Sequence, residues 1–235
     1  MEIGKYYNTL AAHYDKVMRR EGEFQDIREK EMFSEFFSQQ GGIKKAVDLG
    51  CGTGRFTEFM SHTGIVSTGV DISKKMIEIA RNKKGCTKYV VADIEDFVSG
   101  KNNFQNEELV SFFGVTSFIE DFEKFIHSIS KNCAPKHLYF DFVNSRAIGP
   151  KLKFRNSKVK RNFYTTEKIS NILEHNGYNI VYSKGLYFIP APKALVENSI
   201  IKKTLLPLDR FLSGNRFVTK NFAYRIFIGA IKKDF

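Results

Sequence analysis

Gly50, Gly52 and Gly54 stand at alternate positions directly after a short apolar run, Ala46-Val47-Asp48-Leu49. Glycine has no Cβ and tolerates positive φ, so such a loop can turn sharply and bring its backbone against a ligand. In open α/β sheets, a loop of this kind between a strand and a helix is where nucleotides bind. Two carboxylates fall where other parts of that ligand would lie. Ile65-Val66-Ser67-Thr68-Gly69-Val70 reads as a second strand ending in Asp71, 17 positions after Gly54. A carboxylate there can accept both hydroxyls of a ribose lying across the loop. Lys88-Tyr89-Val90-Val91-Ala92 reads as a third strand ending in Asp93, which could reach a further part of the same ligand. Singly, each residue also has a plain structural use: glycine in a tight strand–helix turn, Asp71 as a helix N-cap. The ordered set of strand ends, rather than any one residue, carries the nucleotide reading.

These groups need a sheet behind them. Apolar runs place strands near 45–49, 66–71, 88–92, 108–113 and 137–143. Helical periodicity falls between them, near 54–61, over 73–82 with Ser73 as N-cap, and through Phe122, Phe125 and Ile126. Alternating strands and helices imply a parallel, doubly wound α/β sheet. Residues 1–40 read as two helices, the second with a stripe of Phe24, Ile27, Met32, Phe33, Phe36 and Phe37 that suits packing. Beyond strand five, residues 151–161 hold six basic residues interleaved with apolar ones, as an exposed strand or an ordered arm. Thr165-Thr166-Glu167 opens a helix that Asn176-Gly177 stops, and strand six follows from Tyr178 to Phe188. Residues 189–222 are too many for a hairpin loop. Their mixture of Leu, Ile, Val and Phe with Lys and Arg reads as one or two amphipathic helices over the carboxyl edge of the sheet. They form either a lid or wall of a pocket, or a helical layer that only packs.

The 235 residues suit one α/β domain with decorations, and 42% hydrophobic content is ordinary for a packed core. A net charge of +11 suits an anionic partner, or else reflects lysine-rich usage. No apolar run is long enough for a membrane span, and Met1-Glu2-Ile3-Gly4-Lys5 lacks an apolar signal core. Cys51, Cys86 and Cys133 are an odd number without metal-ligand spacing, which suggests no metal site and a reduced, cytoplasmic setting.

A dinucleotide loop reads G-x-G-x-x-G, but here Arg55 stands where the third glycine should fall, and Asp48 precedes the first glycine by two. These features resemble the class I S-adenosylmethionine-dependent methyltransferases, whose first motif looks like V-D-L-G-C-G-T-G. The resemblance continues through residues 69–77 and 92–97, and through Tyr7-Asn8-Thr9-Leu10-Ala11-Ala12-His13-Tyr14-Asp15, where Asn8 replaces the usual Asp. It covers roughly the first 145 residues. The resemblance implies a mostly parallel seven-stranded sheet with helices on both faces and an antiparallel last strand, here 223–230. It divides the chain into an N-terminal helical cap (1–42), a cofactor-binding core (43–145) and an acceptor-side half (146–235) with the 189–222 insert. It also implies S-adenosyl-L-methionine as cofactor and S-adenosyl-L-homocysteine as product. Gly50, Cys51, Gly52 and Gly54 would lie under the methionine part, and Asp48 would orient their loop. Asp71 would hold the ribose, and Ile72 and Met76 would pack on the adenine. Asp93 and the Ile94 backbone would meet the adenine amino group, Tyr14 would close over the cofactor, and Phe112 would offer its backbone.

Methyl transfer from a sulfonium is an in-line displacement with a good neutral leaving group, so the protein mainly supplies alignment and excludes water. A general base is needed only where the acceptor must lose a proton. Of five histidines, only His13 lies near the expected cofactor mouth, which makes it the candidate base. Phe113-Gly114-Val115-Thr116 differs from the Asn/Asp-Pro-Pro-Tyr of enzymes that methylate exocyclic base amines. The reading is therefore a methyltransferase for a small-molecule acceptor, resembling those of quinone biosynthesis and natural products. The basic, apolar insert suits an acceptor that is anionic and apolar, or one held at a membrane surface. An RNA methyltransferase using the basic surface and a non-catalytic cofactor-binding relative stand as alternatives. The acceptor atom and the oligomeric state are not written in the residues.

Overall fold

β1 (Lys45–Leu49), β4 (Leu109–Phe112) and β5 (His137–Val143) are buried along almost their whole length. Strands covered on both faces become continuous apolar runs, and parallel sheets with helices on each side impose that cover. The computed structural model describes residues 3–21, 23–83, 87–101, 107–149, 161–188 and 198–233. With β2 (Val66–Asp71), β3 (Thr87–Val91), β6 (Tyr178–Leu186) and β7 (Arg225–Lys232), the seven strands run in the order β3-β2-β1-β4-β5-β7-β6. The first five pair in parallel, and β7 enters antiparallel between β5 and β6. The chain order reverses between β1 and β4, which opens a crevice at the carboxyl ends of the strands, the usual ligand position in such sheets.

Side chains of alternate residues enter two cores. Val47, Leu49, Leu138, Phe140 and Phe142 face one cluster, with Phe122, Phe125, Ile126 and Ile129 of α5 (Phe122–Asn132) and Ile169, Ile172 and Leu173 of α6 (Thr166–His175). Ala46, Leu109 and Tyr139 face the other. There α2 (Glu23–Gln40) contributes Phe24, Met32, Phe33 and Phe36, and α3 (Arg55–His62) contributes Phe56 and Met60. The phenylalanine stripe of α2 is thus a packing surface, with Phe36 stacked on Tyr139 at 4.9 Å.

Local signals fix most boundaries. Ser73 accepts from Met76 N at 3.2 Å and starts α4 (Lys74–Arg81), while Thr165 accepts from Lys168 N at 3.2 Å and starts α6. β6 stops at Leu186, short of the expected Phe188, because Tyr187 turns to φ +60° and gives its N–H to Asp209 at 3.1 Å. β7 begins at Arg225 rather than 223, since Tyr224 N bonds Tyr187 O and Asn144 N bonds Tyr224 O outside the ladder. The insert carries two helices, α7 (Ser199–Ser213) and α8 (Arg216–Phe222). Residues 189–197, and the basic arm apart from Arg161, lie outside the described residues. Among the described residues no helix is long and apolar enough to cross a membrane.

Candidate active site

The loop after β1 is held by strand β2. Gly50 N and Cys51 N both donate to Val70 O, at 2.7 and 3.0 Å. Gly50 takes φ +74°, and a Cβ there would run into Val115. Gly52 takes φ +55°, yet a Cβ there would meet nothing within 4 Å. The first glycine is thus needed for close packing, while the second leaves an open face beside β2. Gly54, at φ +75°, leads into α3.

Asp71 spans that open face. Its Oδ2 accepts from Gly52 N at 2.9 Å and its Oδ1 from Ser73 N at 2.8 Å. Burial pushes its carboxyl above the ordinary range, and the two backbone N–H groups oppose that shift. The N-cap of α4 is Ser73, so Asp71 does not hold that role itself. Ile72 is exposed beside it, whereas Met76 is fully buried in α4. Asp93 accepts from Glu95 N at 2.8 Å and starts a single helical turn over Ile94–Asp96.

Asp48 is buried behind the loop, where it accepts from Thr57 Oγ1 at 2.6 Å and Ser111 Oγ at 3.2 Å. It ties α3 and β4 to β1, and burial raises its carboxyl to about 6. Cys51 is buried, and its thiol is pushed well above its ordinary value by burial first and by Asp48 and Asp71 next. Phe112 is buried and stacks on Phe140 at 4.5 Å, so only its backbone is available to a ligand.

α1 (Ile3–Glu21) lies over the loop. Asp15 accepts from Thr53 Oγ1 at 2.5 Å. Asn8 Oδ1 accepts from Ser73 Oγ at 2.7 Å and Lys75 N at 3.2 Å. Asn8 therefore does the capping work a carboxylate could do at this position. Tyr14 is half-buried; burial raises its phenol pKa, with Arg55, Glu29, Arg225 and Asp71 the charges it senses. His13 is exposed on the same helix.

A second set of residues escapes sequence reasoning. Glu29, buried in α2, accepts from Arg55 Nη2 at 2.5 Å and from Arg225 Nη1 and Gln25 Nε2 at 2.6 Å each. Arg225 Nε donates to Asp141 Oδ2 at 2.6 Å, and Gly114 N donates to Asp141 Oδ1 at 2.6 Å. Asp26 also pairs with Arg55. Burial works to raise the Glu29 carboxyl, but Arg55 and Arg225 outweigh it and hold it below the ordinary range. The antiparallel register sets Arg225 opposite Val143, so the network reaches the carboxyl edge of β5. The one hint in the sequence is an aspartate inside the apolar run His137-Leu138-Tyr139-Phe140-Asp141-Phe142-Val143.

Beside it lies an aromatic group. Arg161 sits 4.5 Å over the Phe118 ring, and Tyr7 of α1 meets the same ring edge-on at 6.2 Å. Asn162 holds this segment in place through its N–H to Ser117 O at 2.8 Å and its Nδ2 to Ile119 O at 2.7 Å. Burial raises both Tyr7 and Tyr224, and each phenol senses the Arg161 charge.

The family pattern described as a methyltransferase domain matches residues 47–140. An uncharacterised protein of Methanocaldococcus jannaschii is 26% identical over 259 residues, covering 99% of this chain and 91% of its own. A ubiquinone biosynthesis O-methyltransferase of Proteus mirabilis is 27% identical over 61% of this chain and 60% of its own length. The crystal structure of magnesium protoporphyrin IX methyltransferase from Synechocystis with bound S-adenosylhomocysteine superposes with a TM-score of 0.63 at 16% identity, covering 98% of each chain. The open space at Gly52, with the Asp71 carboxylate against it, is compatible with a ribose-bearing ligand. With the domain match laid on this loop and this strand order, residues 47–140 form the core of an S-adenosylmethionine-dependent methyltransferase domain with the class I fold, and S-adenosyl-L-methionine is its cofactor.

Proposed function

We propose that this enzyme methylates a small, planar acceptor that carries an anionic group and is otherwise apolar. The observation that carries the reading is the Arg161 guanidinium lying on the Phe118 ring with Tyr7 at its edge. A guanidinium set among aromatic faces can pair with a carboxylate or enolate while the rings hold the apolar body. Names such as ubiquinone biosynthesis O-methyltransferase and magnesium protoporphyrin IX methyltransferase among the similar proteins support a small-molecule acceptor. An acceptor of this kind partitions into bilayers, so the enzyme would meet it at a membrane surface.

Bound cofactor supplies the methyl group. In this reading Gly50, Cys51, Gly52 and Gly54 carry the methionine part, and Asp71 takes the ribose hydroxyls. Ile72, Asp93, Ile94 and the Phe112 backbone surround the adenine, with Met76 packed in α4 behind them. Tyr14 closes the mouth from α1 and excludes water. His13 is the proton acceptor where the acceptor atom carries a proton.

The test is transfer of a radiolabelled methyl group from S-adenosylmethionine into a whole-cell extract, followed by separation into lipid, aqueous and RNA fractions. Label in the lipid or aqueous fraction is expected, and Arg161→Gln should lower it about tenfold or more with cofactor affinity unchanged. Label confined to RNA would move the activity to the basic surface. Cofactor binding with no label would mark a non-catalytic relative.

A further inference from the structure

The insert that precedes β7 has two unlike faces. Its inner face is anchored by buried polar contacts. Asp209 accepts from Arg28 Nε at 2.9 Å and from Tyr187 N, while Ser213 accepts from Arg28 Nη2 at 3.0 Å. Thr219 of α8 is buried and donates to Ser213 O at 3.3 Å. A gap of about 20 Å³ lies beneath α7 between Phe24, Tyr187, Leu205 and Leu212, room for one water and too small for an acceptor.

The outer face holds phenylalanine in water. Phe211 is 79% exposed, Phe217 70% and Phe222 56%. Among the described residues every exposed phenylalanine lies on these two helices. Leu208 is exposed one turn before Phe211, on the same side of α7. Arg146 Nη1 donates to Asn221 Oδ1 at 3.1 Å, and Ile148, two residues further along, is 70% exposed. Scattered exposed apolar residues need no explanation, but a contiguous group of large ones does.

The charges that this segment itself carries are almost all of one sign. Residues 198–222 contain five Lys and Arg and a single acid, Asp209, which is turned inward. Lys203, Arg210 and Arg216 are exposed on the rim. Partners on other elements offset part of this charge among the described residues: Glu31 pairs with Arg210 at 3.1 Å, and Glu167 pairs with Lys220. A second copy of this chain seated face to face would set basic rim against basic rim. An anionic lipid surface meets both features, since acyl chains take phenylalanine and headgroups take lysine and arginine.

We propose that the outward face of α7 and α8, with Phe211 and Phe217 as its anchors, docks on an anionic membrane surface. α8 leads through Ala223 and Tyr224 into Arg225, so docking places the membrane next to the acceptor side of the site. The proposal concerns a surface rather than the chemistry, and its readout does not depend on which acceptor is methylated.

The experiment is sedimentation of the full chain with vesicles of phosphatidylcholine alone and of equal parts phosphatidylcholine and phosphatidylglycerol. Binding to the anionic vesicles is expected, weakening as salt rises, with little binding to the neutral ones. Phe211→Ser and Phe217→Ser should each lower the partition coefficient about tenfold, leaving the thermal midpoint and S-adenosylmethionine affinity unchanged. Equal binding by the double variant, or no binding by the unaltered protein, would overturn the proposal. So would a dimer in light scattering that the double variant dissolves, since the face would then be a self-contact, or displacement of the vesicles by RNA at equal charge.

Discussion

The glycine-loop side and the ion-pair side of this enzyme are built from different materials. On the glycine-loop side, short residues bind backbone within a narrow stretch of sequence: Asp71 takes Gly52 N and Ser73 N, and Gly50 N and Cys51 N take Val70 O. On the ion-pair side, long charged side chains meet across the whole chain, Glu29 with Arg225 and Arg225 with Asp141. Local backbone contacts tolerate little change in spacing, so they leave a readable motif. Ion pairs between distant elements need only two compatible side chains at the end of folding, and they leave almost none.

If the two sides are separable, damage to each should read out differently. The largest effect is expected at Glu29→Ala, which strips the buried Arg225 and the half-buried Arg55 guanidinium groups of their shared partner. Losing one member of such a buried network costs about 3–5 kcal/mol, measurable as a drop in the urea midpoint. Cofactor affinity should fall far less, because Arg55 keeps Asp26. An equal loss of affinity would show that the network and the glycine loop are one unit.

Asp48 sharpens the comparison through pH. Its carboxyl stands near 6 in the folded chain against an ordinary 3.8. Between those values the folded state holds a proton that the unfolded chain has released, so stability falls as pH rises through the window and levels above it. The loss amounts to roughly 3 kcal/mol at full ionisation. Asp48→Asn should flatten this slope in urea titrations at successive pH values. Glu29, held below its ordinary range, has the opposite sign: its contribution is lost as pH drops through and below the usual carboxylate range.

Gly50→Ala comes next. A side chain there requires positive φ and a shift of Val115, costing about 1–3 kcal/mol. Because the loop must move, calorimetry should find S-adenosylmethionine affinity reduced more than stability alone explains. The smallest effect is expected at Ser73→Ala, which removes one helix cap worth about 1 kcal/mol. It also removes one of the two hydrogen bonds that Asn8 accepts, leaving only Lys75 N, so α1 should loosen over the loop, and amide exchange in α1 should rise while that in α2 does not.

The same contrast explains what the sequence discloses. Strands β1 to β5 were legible because continuous apolar runs alternate with helical periodicity, and Ser73 and Thr165 marked helix starts through side chains that must cap them. The glycine loop and its carboxylates were legible because their spacing is local. Strand ends near Tyr187 and Tyr224 differ from the sequence pattern by about two residues, because hydrogen bonds to Asp209 and from Asn144, far away in sequence, take over there. In the sequence Glu29 is only one residue of the second N-terminal helix, and Arg225 only one residue of the last strand. Only the placement of β7 beside β5 brings them together. In the sequence Phe211 is one apolar residue of an amphipathic pattern, and the packing of α7 on Arg28 turns it outward.

Cys51 gives the glycine loop a built-in clock. Its sulfur is buried and its thiol is held far from ionisation, and thiol reagents attack the thiolate. Labelling at this one position therefore has to wait for the loop to lift from β2, so the rate of modification counts openings of the cofactor cradle. Added S-adenosylmethionine should slow that rate in proportion to occupancy. The cradle's opening frequency could then be read by mass spectrometry of a single peptide, with no acceptor known and no reaction run.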